Sequence, residues 1–378
     1  MVARERPATP LYCLRPAAIE AAARAFLAAF PGEVLYAVKC NPEPRVLRAL
    51  WAAGVRHFDC ASIAEVALVG ELLPDATVHF MHPVKGRAAI AAAYHRHGVR
   101  DFALDSADEL EKILQESVPL GLVGAPPPLG LFVRLALPKG GAVCDLSGKF
   151  GAPVAEAAGL LRLARPHAGR LGLTFHVGSQ CLEPEAYARA IALAGAAVEE
   201  AQVTVDIVDI GGGFPVAYPG SAPPPLSAYM AAIAAARTRR LPPSTALWAE
   251  PGRALAAEGG SLVVLVEMRR GFALYINDGV YGSLADAGAL GFRYPARRIR
   301  LGEAAGAAAP LADFTLFGPT CDSADRMRGP FRLPADTQEG DWLELGQLGA
   351  YGPCLATRFN GFGPAGIVAV ADPPLAAG

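Results

Sequence analysis

The sequence predicts a parallel α/β domain of the (β/α)8-barrel type, followed by a smaller all-β domain. The first observation is the alternation of short apolar runs with Ala-rich amphipathic stretches from about residue 18 to residue 256. The second is the length of this region, roughly 240 residues, which suits a barrel. The third is a change of character after residue 257, where short apolar runs are separated by Gly- and Pro-rich turns.

In the first region the apolar runs predict strands, and the stretches between them predict helices. The predicted strands are 34–38, 77–81, 131–135, 171–176, 205–210 and 246–249. The predicted helices are 44–53, 62–72, 86–97, 106–116, 153–165 and 184–200. This alternation indicates a parallel sheet, either closed into a barrel or open and doubly wound. No GxGxxG sequence opens the first helix, which disfavours a dinucleotide-binding open sheet.

The second region lacks long helical patterns and reads as a β-domain. Its predicted strands are 261–267, 272–276, 312–317, 341–345 and 367–371. We therefore expect an N-terminal segment at 1–17, a barrel at 18–256 and a C-terminal β-domain at 257–378.

Composition excludes several classes of function. A net charge of -2 over 378 residues does not resemble the basic surface of a nucleic-acid-binding protein. No apolar run reaches the roughly 18 residues of a membrane helix, and the N-terminus lacks the apolar core of a signal peptide. The seven cysteines are scattered, with no CxxC pair, and the histidines lack acidic or thiol partners for a metal. We expect a cytoplasmic enzyme with reduced thiols, no metal site, and no nucleic-acid or membrane partner.

Lys39 is the first candidate for chemistry. Of 34 basic residues only five are lysines, so a Schiff-base mechanism has few candidates. Lys39 closes an apolar run and is followed by two prolines, Pro42 and Pro44, which place it where a barrel strand ends. A lysine there can simply extend its ammonium into water. Burial of the preceding run, however, would lower its pKa and make it nucleophilic toward an aldehyde.

Three further polar or glycine-rich segments also follow predicted strands. His176 ends one strand, Gly211–Gly213 follow another, and Glu250 and Arg253 follow a third. Consecutive glycines let backbone N–H groups approach a phosphate, although a tight turn would explain them equally well. Because the carboxyl ends of barrel strands meet on one face, these segments and Lys39 are expected to form one site.

The C-terminal region offers two more candidate segments. Cys321 and Asp322 lie in GPTCDSAD, where a thiol could donate a proton and a carboxylate could bind a cationic group. Tyr351 lies in LGAYG and could reach a phosphate or cover the core. Each residue could equally be an ordinary turn residue.

Ten segments of the chain, in order, match one family. They are YAVKCN, FDCAS, FVRL, FHVGSQ, DIGGGFP, EPGRAL, NDGVYGS, FGPTCDSAD, GDWLELGQLGAY and FNGF. The chain resembles the fold-type III pyridoxal-phosphate decarboxylases of the ornithine decarboxylase family, from about residue 11 to residue 365. The resemblance implies an alanine-racemase-like barrel with a C-terminal β-domain. It also implies that the LYCL segment near residue 12 pairs with that β-domain.

The resemblance further implies a cofactor, pyridoxal 5′-phosphate, and the residues that hold it. Lys39 would carry it as a Schiff base, and Glu250 would pair with its pyridine nitrogen. Asp59 and Arg134 would shape the site around Lys39. The residues implied to contact the ring or the phosphate are His176, Ser179, Gly211, Gly212, Gly213, Arg253 and Tyr351.

For the substrate, the resemblance implies that Cys321 protonates the reacting carbon after CO2 leaves and that Asp322 binds the distal amine. Because the CDSAD loop of this family reaches the site of the other subunit, an obligate homodimer with two shared sites is implied. Animal-type members carry an aspartate nine residues after the tyrosine of GVYGS, where this chain has Leu290. Asp286, five residues after Tyr281, is the candidate replacement for that aspartate. We assign Tyr281 and Asp286, together with Asp322, to substrate binding.

We therefore expect decarboxylation of a basic amino acid, L-ornithine to putrescine and CO2. Lysine, giving cadaverine, is the nearest competing substrate. Diaminopimelate decarboxylase is a further alternative, but its cysteine loop reads C-E-[ST] where this chain has C-D-S. An alanine-racemase-like enzyme would need a catalytic tyrosine opposite Lys39. A regulatory homologue without cofactor would have lost site residues that are all present here.

Overall fold

The computed structural model describes residues 2–117, 129–139, 142–302 and 309–376. It divides into two compact units. The barrel unit comprises residues 23–215 and 223–252, and the sheet unit comprises residues 1–22, 216–222 and 253–378. Residues 216–222, from the Pro-rich segment within the predicted barrel sequence, thus belong to the sheet unit.

The barrel unit is built around eight parallel strands. The chain enters it through α1 (Val2–Glu5), β1 (Leu11–Leu14) and α2 (Pro16–Ala29). Ten strands follow: β2 (Glu33–Ala37), β3 (His57–Cys60), β4 (Thr77–Phe80), β5 (Asp101–Leu104), β6 (Leu129–Arg134), β7 (Ala142–Cys144), β8 (Ala168–Thr174), β9 (Ser179–Cys181), β10 (Ile207–Asp209) and β11 (Ala246–Ala249). All except β7 and β9 close into a barrel in chain order, with β11 beside β2. Strands β7 and β9 form a separate antiparallel pair.

Helices connect the barrel strands. They are α3 (Pro44–Ala53), α4 (Ile63–Leu72), α5 (Arg87–His97), α6 (Ala107–Glu116), α7 (Val154–Ala164), α8 (Glu185–Ala201) and α9 (Leu226–Arg240). Two of them begin with a serine whose side chain caps the helix. The Ser62 hydroxyl accepts from the backbone of Glu65, whose carboxylate accepts from the N–H of Ala61. Ser106 caps α6 in the same way by accepting from the backbone of Glu109.

Large apolar side chains fill the barrel. One buried cluster within it consists of Leu35, Met81, Ala103, Phe132, Ile207 and Trp248. The rings of Phe132 and Trp248 stack with centroids 4.9 Å apart. Gly172 makes room for Phe132, because a Cβ there would lie 2.2 Å from the phenyl ring. The interior is therefore a packed core, and polar chemistry is confined to the strand ends.

The sheet unit contains an eight-stranded sheet. After α10 (Arg253–Ala256) its strands are β12 (Gly260–Arg270), β13 (Ala273–Ile276), β14 (Ala296–Ile299), β15 (Leu311–Phe317), β16 (Arg326–Pro334), β17 (Trp342–Leu345) and β18 (Gly366–Ala369). Strand β1, the LYCL segment, pairs antiparallel with β12 and parallel with β18. Arg15, directly after β1, donates to Glu344 across a buried 2.9 Å ion pair. Short 3₁₀ turns lie at Val38–Cys40, Arg165–His167, Ala257–Gly259, Ala285–Ala287, Pro353–Leu355 and Phe359–Gly361.

The closed barrel confirms the predicted fold class and excludes the doubly wound alternative. Sequence analysis missed the barrel strands β3 and β5. Each has only four residues and contains an aspartate, so neither forms an apolar run long enough to be recognised. It also missed β14 and β16 of the sheet unit. Strand β14 carries two arginines, and β16 carries three.

Among the described residues, no helix has both the length and the apolar character needed to cross a lipid bilayer.

Candidate active site

Lys39 lies at the carboxyl end of the barrel, in the 3₁₀ turn that follows β2. Its ammonium contacts the carboxylate of Asp59, the third residue of β3. The parallel register of these strands places Ala37 opposite Asp59, which brings the lysine two residues later into reach. The Lys39 side chain is 38% exposed and that of Asp59 only 1%. A buried carboxylate therefore contacts an amine that remains accessible.

Glu250 and Asp209 form a pair of buried acids at the same end of the barrel. Asp209 is the last residue of β10, and Glu250 directly follows the neighbouring strand β11. Their carboxyl groups are hydrogen-bonded to each other. Burial raises the pKa of Asp209. Burial, together with the charges of Asp209 and Asp59, raises the pKa of Glu250 well above its usual range.

The glycine turn Gly211–Gly213 packs too closely for any side chain. Gly211 has a φ of +66°, and a Cβ there would lie 2.1 Å from the carbonyl oxygen of Phe175. A Cβ on Gly212 would lie 2.6 Å from the carbonyl oxygen of Glu250 and 3.1 Å from Nε2 of His176. A Cβ on Gly213, where φ is +101°, would lie 2.4 Å from a backbone oxygen. The turn therefore offers bare backbone beside Glu250 and His176.

His176 lies two residues beyond β8, and its imidazole is neutral. Burial lowers its pKa well below the usual value, and the charges of Arg134 and Lys39 lower it further. Its Nδ1 accepts a 2.9 Å hydrogen bond from the N–H of Gly178, which fixes the ring and requires an unprotonated Nδ1. Arg134 is the last residue of β6, and Ser179 opens β9. These residues thus lie at the same carboxyl end of the barrel.

In the sheet unit, Arg253 is buried with aromatic and acidic partners. Its guanidinium donates to Oδ2 of Asp286 at 2.9 Å and to the hydroxyl of Tyr218 at 3.0 Å. It lies 4.9 Å from the ring centroid of Tyr351. Asp286, assigned from the sequence to the substrate's distal amine, is buried here against Arg253. Leu290, at the position of the aspartate in animal-type family members, is 41% exposed.

Cys321 and Asp322 lie on a loop of the same sheet unit. The hydroxyl of Tyr281 donates to the carboxylate of Asp322. The hydrogen bond from the N–H of Ala324, together with this contact, lowers the pKa of Asp322. Cys321 is exposed, and its backbone N–H donates to Oδ1 of Asn360 at 3.1 Å. Both residues line an open cavity of about 500 Å³.

Comparison with known proteins identifies the family. The model of the pyridoxal binding domain of pyridoxal-dependent decarboxylases matches residues 16–257. A lysine/ornithine decarboxylase of Selenomonas ruminantium is 35% identical over 352 residues, covering 90% of this chain and 84% of that protein. The chain belongs to the ornithine decarboxylase family of pyridoxal-dependent decarboxylases. It is thus a carboxy-lyase that acts on a basic amino acid, and its cofactor is pyridoxal 5′-phosphate.

Solved structures of other decarboxylases share the fold. One is a lysine/ornithine decarboxylase from Vibrio vulnificus complexed with cadaverine. It has a TM-score of 0.82 and 32% identity, with 98% of this chain and 96% of that chain covered. Another is the arginine decarboxylase of Paramecium bursaria Chlorella virus bound to agmatine. It has a TM-score of 0.83 and 29% identity, with 97% of each chain covered.

The barrel unit of this decarboxylase fits pyridoxal phosphate on three observations. Lys39 offers an accessible amine. Oε1 of Glu250 is buried and receives no hydrogen bond from an N–H or hydroxyl donor among the described residues, so this carboxyl group retains acceptor capacity for a protonated ring nitrogen. The turn Gly211–Gly213 presents backbone without side chains, as a phosphate requires. The barrel residues that would hold the cofactor are therefore Lys39, Glu250, His176 and the glycine turn.

Sequence analysis of this decarboxylase missed two contacts of the predicted site residues. Asp209 contacts Glu250, and Tyr218 contacts Arg253. Asp209 carried a signal, since it lies in an apolar strand and only Ile210 separates it from the three glycines. Tyr218 carried none, because it lies in a Pro-rich loop and reaches its partner only through the fold.

Proposed function

We propose that the protein is an L-ornithine decarboxylase that forms putrescine and CO2. The observation that carries this proposal is Asp322, a carboxylate held by Tyr281 on the wall of an open cavity. One such carboxylate suits a substrate with one distal ammonium. The other acid assigned to the substrate, Asp286, has its carboxylate on Arg253. Relatives named ornithine decarboxylase, such as that of Neurospora crassa at 30% identity, support the choice of substrate.

When bound, pyridoxal 5′-phosphate supplies an aldehyde that bonds to amines and a ring that accepts the electron pair left behind by CO2. Lys39 Nζ is the amine that would hold the cofactor until the substrate's amine replaces it. Asp59 contacts that amine and would keep it in place. Glu250 would accept the N–H of the ring and stabilise its positive charge, which makes the ring a better electron acceptor. Neutral His176 would pack on the ring without adding charge.

After CO2 has left, the reacting carbon needs a proton. We assign this step to the Cys321 thiol, which is exposed on the cavity wall beside Asp322. Asp322 would hold the substrate's distal ammonium, because its lowered pKa keeps it ionised at neutral pH. Arg253 would contact the cofactor's phosphate, with Asp286 and Tyr218 orienting its guanidinium.

We further propose a homodimer with two shared active sites, in which Cys321 and Asp322 of one subunit complete the site that contains Lys39 of its partner. The family resemblance supports this arrangement. The exposure of Cys321 supports it as well, because a thiol that serves another subunit must lie on the surface of its own chain.

A substrate panel tests the choice of amino acid. Steady-state CO2 release is measured for ornithine, lysine, arginine and diaminopimelate with one purified sample. Ornithine should show the highest kcat/KM. Lysine, longer by one methylene, should be poorer on the order of 10-fold, which is the discrimination that one methylene usually gives. Diaminopimelate should be poorest, since its second carboxylate would lie near Asp322. A higher kcat/KM for any of the other three amino acids would contradict the proposal.

A further inference from the structure

Glu250 and Asp209 are close enough to restrict each other's ionisation. Both side chains are buried, with exposures of 4% and 0%. Two carboxylates in contact in such surroundings repel strongly, which favours retention of one proton by the pair. The groups that face the pair are Asp59, whose charge favours retention, and Lys39 and Arg134, whose charges oppose it.

The two carboxylate oxygens of Asp209 have different surroundings. Oδ1 accepts a 2.8 Å hydrogen bond from the N–H of Gly211, the first residue of the glycine turn. Oδ2 is buried and receives no hydrogen bond from a backbone N–H among the described residues. The carboxyl of Glu250 is the acidic group in contact with Asp209. Asp209 therefore links the glycine turn to Glu250.

Glu250 is oriented in a similar way. Its backbone N–H donates to the carbonyl of Gly211 at 2.8 Å, which anchors the residue to the same turn. Its Oε1, like Oδ2 of Asp209, is buried and receives no N–H or O–H hydrogen bond from another described residue.

We propose that Asp209 is the positioning residue of Glu250, and that it holds the pair's single proton when Glu250 accepts the ring N–H of the cofactor. This inference rests on the proposed role of Glu250. The proton passes from a Glu250 oxygen to an Asp209 oxygen, and neither group gains or loses any other atom. Neutral Asp209 then donates a hydrogen bond to ionised Glu250, while Gly211 continues to donate to Asp209.

Two substitutions in the holoenzyme distinguish an Asp209 that acts as a neutral hydrogen-bond donor from an Asp209 that acts through its negative charge. Asp209→Ala removes the hydrogen bond to Glu250 and should lower kcat on the order of 10- to 100-fold, the usual effect of losing a bond to a charged group. Asp209→Asn keeps an oxygen for Gly211 and presents an NH2 donor to Glu250. The kcat of Asp209→Asn should therefore be at least about 10-fold higher than that of Asp209→Ala. A residue that acted through its negative charge would show no such recovery.

Infrared spectroscopy provides a readout that does not depend on turnover or on the folding of the alanine variant. The difference spectrum of wild-type holoenzyme minus Asp209→Asn, recorded at neutral pH, should contain the carbonyl stretch of a protonated carboxyl group. The absence of that band, or an Asp209→Asn variant as impaired as Asp209→Ala, would overturn the proposal.

Failure of this inference is distinguishable from failure of the proposed function. Wild-type decarboxylation and Glu250→Gln are measured in parallel. If wild type is active and Glu250→Gln is not, a missing infrared band rejects only the role of Asp209. If Glu250→Gln turns over normally, the assignment of Glu250 fails and the inference fails with it.

Discussion

Two lysines of the barrel unit differ in what their surroundings allow. Burial lowers the pKa of Lys85 to about 8, the kind of shift often seen in nucleophilic lysines. Its ammonium, however, is fully buried and lies 2.9 Å from Glu109 and 2.5 Å from the carbonyl oxygen of Ala103. Lys39 is 38% exposed at the end of a strand. Access therefore favours Lys39 over Lys85 as the proposed cofactor amine. Lys85 instead joins Glu109 of α6 to the backbone of β5.

The role of Glu250 is testable by one substitution. Glu250→Gln should retain the cofactor but lower kcat on the order of 100-fold, because a neutral amide does not stabilise a positively charged ring nitrogen. Cofactor absorbance and steady-state kinetics measure the two effects separately. Glu156→Gln, an exposed glutamate of α7 in the same unit, is the matched control and should behave as wild type. Normal turnover of Glu250→Gln would remove Glu250 from the mechanism.

At the scale of elements, loops and turns carry the proposed chemistry, and buried polar contacts hold them. The loop that bears Cys321 is fixed by Asp325, whose buried carboxylate accepts from the N–H of Val280 at 2.8 Å and from the Thr320 hydroxyl at 2.7 Å. Gly318 must be glycine, since a Cβ there would lie 2.2 Å from that carboxylate. Such contacts favour a single geometry of the loop, which is what a precise site requires.

The glycine turn should tolerate no side chain. Gly212→Ala would press a methyl group on the carbonyl of Glu250 and the ring of His176. We expect a loss of about 1–3 kcal/mol in the free energy of unfolding, as in overpacked sites, and weaker retention of the cofactor. Thermal melting and cofactor content after dialysis are the measurements.

Gly159→Ala is the control for that experiment. Gly159 lies in α7, where the added methyl would meet no atom closer than 4.0 Å. Alanine also favours a helix over glycine, so this variant should be as stable as wild type or more so. If Gly212→Ala matched the control in both stability and cofactor content, the close packing of the turn would have no functional consequence.

At the scale of the whole molecule, the proposed site residues are divided between the two units. The barrel unit contains Lys39, Asp59, His176 and Glu250. The sheet unit contains Arg253, Cys321, Asp322 and Tyr351. The proposed homodimer would join Lys39 of one subunit to Cys321 of the other. The protein would then be active only as a dimer.

Subunit exchange tests this arrangement. Lys39→Ala and Cys321→Ala should each be nearly inactive as homodimers. After equal mixing and exchange, about half of the dimers are heterodimers with one intact site of two, so activity should return to roughly a quarter of wild type. Each variant taken alone through the same mixing procedure is the control. Exchange demonstrated by differently tagged subunits without recovered activity would show that each site is built within one chain.

The alternation of apolar runs and amphipathic stretches predicted a parallel α/β domain followed by a β-domain, because apolar periodicity and turn residues act over short stretches of chain. The closure of the parallel sheet into a barrel was established by the structure. The sequence also located Lys39, Glu250 and the glycine turn at strand ends, since parallel barrel strands all finish on one face. The contact of Asp209 with Glu250 and the pairing of Asp286 with Arg253 could not be predicted from the sequence and became visible in the folded chain. These contacts join residues more than thirty positions apart, and only the packing of strands and loops in space brings such carboxyl groups to their partners.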